Sequence, residues 1–292
     1  MKRILVPLDG SPLAEAILPV VEEWAKEEEV EAILLRAVLV HHLLGGDDTE
    51  AQMRVVGEGE AYLKAVADRL DRRGLKGVRW AVWYGEPVWS ITKAAALNDA
   101  DLIAMATHGR GGLSRLLLGS VASGVVRSVQ VPVLLIRGQS AWKPWATGKV
   151  LVPLDVSEAS EGILPVAERL ARWRDVTIIL FQVVEPLPSP ADTSTRLDEW
   201  MGVRGKDAKR YLAKVAEPLR DKGLRVECAV RFGRAAETIA AFAAEERVDL
   251  IAMVTHGRSG LGRLFFGSVA EGVLRSAAVP VLVLKHAERI EQ

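Results

Sequence analysis

The chain has 292 residues, of which 49% are hydrophobic and 26% charged, with 13 prolines, a composition that fits globular domains and excludes a disordered chain. Lysine and arginine total 38, as do aspartate and glutamate, so the basic excess that accompanies phosphate-backbone binding is missing and no nucleic-acid partner is expected. The single cysteine, Cys228, excludes an intramolecular disulfide and a thiolate metal cluster. No apolar run reaches the ~18 residues of a membrane span, the apolar start is too short for a signal peptide, and the cytoplasm is the expected location, with no membrane partner.

In chain order, ILVPL (4–8) is a short continuous apolar run, the pattern of a strand buried on both faces. Ser11 is a fitting N-cap with Pro12 at the first helical position, and a helix is predicted over 13–28 with Ala14, Ile17, Leu18 and Val21 on one face. AILLRAVLV (32–40) is the next strand. A polar loop follows, in which His41, His42, Asp47 and Asp48 match no metal-cluster spacing. A long helix then runs through Tyr62, Leu63, Val66 and Leu70 and ends at Arg73-Gly74. VRWAVWYG (78–85) is strand three, a helix starts near Pro87, and ADLIAMAT (100–107) is strand four. After a Gly-rich loop, a helix from about Ser120 leads into strand five, PVLLIR (132–137). Continuous apolar strands alternating with helices predict the α/β class, a doubly wound parallel sheet covered on both faces.

The series then repeats. Residues 101–136, DLIAMATHGRGGLSRLLLGSVASGVVRSVQVPVLLI, return at an offset of 148 as DLIAMVTHGRSGLGRLFFGSVAEGVLRSAAVPVLVL. RILVPLDGSPLAEAILPV from Arg3 returns at an offset of 146 as KVLVPLDVSEASEGILPV from Lys149. One domain is therefore duplicated. The expected domains are 1–140 and 147–292, each with its own core, joined by GQSAWKPWATG (138–148), whose Trp142 and Trp145 predict a packed join. Pro218, inside the second copy's long helix, is expected to kink it.

Open parallel sheets bind ligands at the carboxyl ends of their strands, where strand order reverses. Two segments fall there in each copy. The first is Pro7, Leu8, Asp9, Gly10 and Ser11, matched by Pro153, Asp155 and Ser157. The second follows strand four and carries Ala106, His108, Gly109, Arg110, Gly119, Ser120 and Val121, matched by Val254, His256, Gly257, Arg258, Gly267, Ser268 and Val269. Glycine allows close backbone approach and positive φ, and a Gly-Ser helix start offers free N–H groups to an anion. Asp9 is placed to accept hydrogen bonds from a ribose or adenine edge. On spacing alone each feature keeps a second reading: packing for Gly119-Ser120, a turn or cap for Asp9. Likewise His108 and His256 bond either backbone or phosphate, and Arg110 and Arg258 form either a basic lid or a solvated face. There is no GxxxxGK[ST] loop, no GxSxG elbow and no HExxH, and no catalytic triad emerges.

The motifs VPLDGS and VPLDVS, Gly85-Glu86-Pro87, and THGRxGLxRLxxGSVAxGVxRSxxVPVLxx in both copies resemble the universal stress protein family in its tandem form, almost end to end. The resemblance implies two five-stranded parallel sheets of strand order 3-2-1-4-5 and an adenine nucleotide as ligand, ATP with or without Mg2+, or AMP. It carries the loop glycines onto Gly109, Gly119, Gly257 and Gly267, the following serine onto Ser120 and Ser268, and the strand-one acid onto Asp9 and Asp155. The backbone position that meets the adenine ring falls at Ala37 and Val183. The sequence departs from the family pattern at Ala106 and Val254, where the first loop glycine is missing, and at Val156, where Gly10 has no counterpart. If the two sites differ, the first is expected to be the better one. The resemblance also implies pairing of the two domains through their last strands as an intramolecular pseudo-dimer, and pairing of chains as a homodimer. Three functions are carried forward: a nucleotide-binding stress-response regulator, a ligand-free interaction scaffold of the same fold, and a slow ATP hydrolase.

Overall fold

The computed structural model describes residues 2–25, 30–39, 48–107, 119–137, 145–185, 194–255 and 267–285. The chain divides into two compact units, Met1–Gln139 and Ser140–Gln292. The first unit runs β1 (Arg3–Pro7), α1 (Pro12–Glu15), α2 (Leu18–Trp24), β2 (Glu31–Val38), α3 (Asp48–Arg72), β3 (Arg79–Tyr84), α4 (Pro87–Leu97), β4 (Leu102–Ala106), α5 (Ser120–Ser128) and β5 (Val133–Ile136). The second repeats it as β6 (Lys149–Pro153), α6 (Glu158–Glu161), α7 (Leu164–Arg174), β7 (Thr177–Val184), α8 (Ser194–Asp221), β8 (Val226–Phe232), α9 (Ala235–Glu245), β9 (Leu250–Val254), α10 (Ser268–Ser276) and β10 (Val281–Leu284).

Within each unit all strand pairs are parallel. The order is β3-β2-β1-β4-β5 in the first unit and β8-β7-β6-β9-β10 in the second, the 3-2-1-4-5 arrangement in each. Ile4, Leu5, Leu34, Leu102, Ile103 and Leu134 are fully buried in the first sheet, as their continuous apolar runs require. In the second, Phe181 of β7 stacks on Phe242 of α9 with centroids 4.3 Å apart.

One predicted helix is two. The predicted stretch breaks between α1 and α2 because Pro19 lies at the start of α2, and its residues 26–28 lie outside the described ones. Proline has no N–H to give to the carbonyl of Glu15, and its ring clashes with that carbonyl. Pro165 and Glu161 divide α6 from α7 in the same way. Pro218 sits one turn before the end of α8, which continues through it to Asp221. Two glycines set the helix spacing. A Cβ on Gly124 would stand 2.6 Å from Val88 Cγ2, and one on Gly272 2.5 Å from Ala236 Cβ, so α5 lies tight on α4 and α10 tight on α9. Of the join, residues 145–148 are described; Trp145 has φ 47° and lies 6.0 Å from the Arg174 guanidinium above its ring.

Candidate functional site

Strand order reverses at β1, which pairs with β2 on one side and β4 on the other, and at β6, which lies between β7 and β9. The main chain extends each pairing by one residue beyond β1 and β6: Leu8 N–H donates to the Leu35 carbonyl and Leu154 N–H to the Phe181 carbonyl, each at 2.8 Å. Asp9 follows at once. Its Oδ1 accepts from the Ser11 N–H at 2.8 Å, while Ser11 Oγ caps α1 by accepting from the Ala14 N–H at 3.1 Å. In the second unit Asp155 Oδ1 accepts from the Ser157 N–H at 3.1 Å and from the Ser157 hydroxyl. Both aspartates therefore build the turn that aims them out of the strand. That turn needs a left-handed residue, supplied by Gly10 at φ 83° and by Val156 at φ 71°.

The second segment returns to the same place. Gly119 N–H donates to the Thr107 carbonyl and Gly267 N–H to the Thr255 carbonyl, each at 2.8 Å. This fixes the start of α5 beside the end of β4, and the start of α10 beside the end of β9. Gly119 and Gly267 are the N-caps, with φ −55° and −62° and no side-chain cap. The positive φ that glycine allows is not used at either one; what matters is the missing side chain, which leaves the first-turn N–H groups of Ser120, Val121, Ser268 and Val269 uncapped. Ser120 and Ser268 are exposed. Such a helix start favours an anion through its N–H groups and dipole.

A cavity of about 630 Å3 in the second unit gathers the predicted residues. Pro153, Asp155, Val183, Val254, Gly267, Ser268 and Val269 line it, while Ser157 serves the helix cap. In the first unit Pro7, Leu8, Asp9, Gly10 and Ser11 follow the same turn, and Ala37 sits near the end of β2, paired with Trp83 of β3. Val254 does not point only at the cavity: its Cγ1 lies 3.9 Å from where a Cβ on Gly162 would be. The corresponding first-unit positions are Ala106 and Ala16. The 3.9 Å distance is an ordinary van der Waals contact, and the tight neighbour of such a Cβ would be the Ala159 carbonyl at 3.1 Å. His108, Gly109, Arg110, His256, Gly257 and Arg258 lie outside the described residues, as do His41 and His42.

Sequence reasoning missed a pair that recurs in both units. Tyr62 Oη donates to Glu15 Oε1, and Tyr211 Oη to Glu161 Oε1, each at 2.9 Å. Burial and then the neighbouring carboxylate push both phenols well above the ordinary tyrosine range. Tyr211 lines the cavity. Around Tyr62 the first unit adds two cations: Arg36 stands 5.0 Å from the ring centroid, and Arg69 pairs with Glu15. Gln182 and Pro218 hold those places in the second unit. The first site thus sets two guanidiniums near Asp9 and Glu15, whereas in the second the guanidinium comes from α8, where Arg204 lines the cavity and the first unit has Val55. The signal was available in the sequence as Glu15/Glu161 and Tyr62/Tyr211, which recur at offsets of 146 and 149.

The sequence profile of the universal stress protein family matches residues 1–137 and again 147–285. Over 141 residues the chain is 34% identical to a universal stress protein of Methanocaldococcus jannaschii, covering 47% of this chain and 81% of that one. Over 194 residues it is 31% identical to a universal stress protein of Mycobacterium tuberculosis, covering 64% of this chain and 63%, less than two thirds, of that relative. The crystal structure of a universal stress protein from Archaeoglobus fulgidus superposes with a TM-score of 0.71 at 23% identity, covering 98% of this chain and 99% of that one. At that identity the superposition speaks to the fold. Among the described residues no helix is long and apolar enough to cross a membrane.

Proposed function

We infer that this chain, which belongs to the universal stress protein family through both of its halves, binds an adenine nucleotide at the carboxyl ends of β1 and β4, and of β6 and β9, and acts as a cytoplasmic stress-response regulator. The observation that carries the reading is the cavity of the second unit that brings Asp155, Val183 and the Gly267-Ser268 helix start together. Its volume of about 630 Å3 falls within the ~300–1,000 Å3 of small-molecule sites. In this reading Asp9 and Asp155 accept hydrogen bonds from the ribose. The backbone at Ala37 and Val183 meets the adenine edge. The N–H groups of Ser120, Val121, Ser268 and Val269 receive the phosphates, with Mg2+ sharing their charge when it is present. Gly109 and Gly257, with His108, Arg110, His256 and Arg258 beside them, complete the phosphate loop.

The first site is the tighter of the two in this proposal. Gly10 takes the left-handed turn beside Asp9 without the strain of Val156, and Arg36 and Arg69 offset the carboxylates there, which favours a polyanion. Calorimetric titration of nucleotide-stripped protein with Mg-ATP and with AMP is the test. Binding in the micromolar range, about −8 kcal/mol, is expected. Gly119→Val should remove the tighter event and Gly267→Val the weaker, by crowding the uncapped helix start. No binding at millimolar nucleotide would overturn the reading in favour of a ligand-free interaction scaffold.

A further inference from the structure

The sheets of the two units end on corresponding strands, β3 and β8, and the two edges are finished differently. Gly85 N–H donates inward to the Val38 carbonyl, and Gly233 N–H to the Val184 carbonyl. By strand alternation the main-chain groups of Trp80, Val82 and Tyr84, and those of Val226, Cys228, Val230 and Phe232, face away from the sheet. On β8 two of the outward carbonyls, those of Val226 and Val230, are engaged. Arg220 donates to the Val226 carbonyl through Nε at 3.1 Å and Nη2 at 2.7 Å, and Arg231 Nη1 donates to the Val230 carbonyl at 3.4 Å. The counterpart of Arg220 in the first unit is Asp71, which has no donor to offer. Among the described residues no side chain donates to the carbonyls of Trp80, Val82 or Tyr84.

The side chains differ in the same sense. β8 carries Glu227 and Arg231, the charges that natural edges use against pairing. β3 reads RWAVWY, with no acid, no proline and one base, Arg79, which already pairs with Glu31 at 3.1 Å. Trp80 is 37% and Tyr84 42% exposed, and Phe232 of β8 is likewise 42% exposed, so charge and not apolar exposure sets the two edges apart.

We propose that β3 is the docking edge for a second copy of this chain, joined antiparallel, strand to strand, about a twofold axis at Val82. Self-complementarity selects the occupant. Opposing outward-facing residues exchange both main-chain hydrogen bonds in an antiparallel pair, and the register that uses all three centres on Val82. Trp80 then faces Tyr84 of the second copy, Val82 faces Val82, and Tyr84 faces Trp80, which are favourable aromatic and β-branched cross-strand pairs. Arg79 falls opposite Gly85, so the lone charge of the strand never meets its twin. The pairing is isologous and closes on itself.

Sedimentation velocity on the full chain across the micromolar range tests this, and a concentration-dependent dimer is expected. Trp80→Lys with Tyr84→Lys opposes lysines across the axis and should raise the dissociation constant roughly tenfold or more. Trp80→Lys with Tyr84→Glu should restore the dimer through cross-strand ion pairs. Val82→Cys in a Cys228→Ser background fixes the register. Opposed Cα atoms in a hydrogen-bonded pair are about 5.5 Å apart, within disulfide reach, so mild oxidation should give a covalent dimer. A monomer at all concentrations, a dimer indifferent to the double-lysine change, or a dimer that Val82→Cys does not cross-link would each overturn the proposal. If the double-lysine chain fails to fold by circular dichroism, the cross-link decides.

Discussion

At Val156 the second unit holds a β-branched residue at φ 71°, in the turn where the first unit has Gly10 at φ 83°. The left-handed region crowds a Cβ, and a branched one most. Val156 is also 46% exposed, so little burial offsets the strain. Val156→Gly is expected to stabilise the second unit by roughly 1 kcal/mol, the strain relieved less the added freedom of the unfolded chain. Urea denaturation with an unchanged m-value checks it. The Tyr62–Glu15 and Tyr211–Glu161 pairs make a second prediction, in pH. A phenol whose folded pKa is raised holds its proton more tightly in the folded state. Its contribution is complete below the unfolded value of ~10 and is lost as pH rises from there through the folded value. Thermal melts of Tyr62→Phe and Tyr211→Phe should therefore show a shallower alkaline decline than wild type, and the shallowest decline when both are replaced and no titrating phenol remains at these positions.

Among the elements, the tight fit of α5 on α4 rests on Gly124, where a Cβ would stand 2.6 Å from Val88 Cγ2. Gly124→Ala should destabilise the first unit by about 1–3 kcal/mol despite its better helix propensity. Combining it with Val88→Ala should recover part of that loss, with a coupling of ~0.5 kcal/mol or more in a double-mutant cycle by chemical denaturation. The sequence made such elements legible where the signal is local: continuous apolar runs for β1, β4 and β5, Ser11 and Pro12 at the start of α1. It misled over residues 13–28, where the apolar helical face continues through Pro19 and outweighed the proline in the reading. Helix spacing was not legible at all, because Gly124 in a helical pattern looks like any poor helix former until the neighbouring helix is known.

On the scale of the whole molecule, the duplication was plain, since two long segments repeat at nearly constant offsets, and each copy orders its five strands 3-2-1-4-5. The site was half legible. Asp9 and Gly119-Ser120, with their counterparts, carry chemistry that a sequence displays. Tyr62 and Glu15 are 47 residues apart and meet only when α3 lies beside α1, and Arg36 reaches them from a strand. The edges were likewise hidden, because RWAVWY and VECAVRF both read as strands until Arg220 is seen bonding one of them.

The Tyr62–Glu15 and Tyr211–Glu161 bonds bear on how the duplicated halves change over time. Similar repeats invite recombination, in which a tract of one overwrites the other. Both members of the pair are the same residue types in the two halves, so a tract that ends anywhere between them still brings a tyrosine to a glutamate. The bond can be copied piecemeal from one half to the other without being broken, whereas the arginines beside Tyr62 would be lost or gained with the tract that carries them.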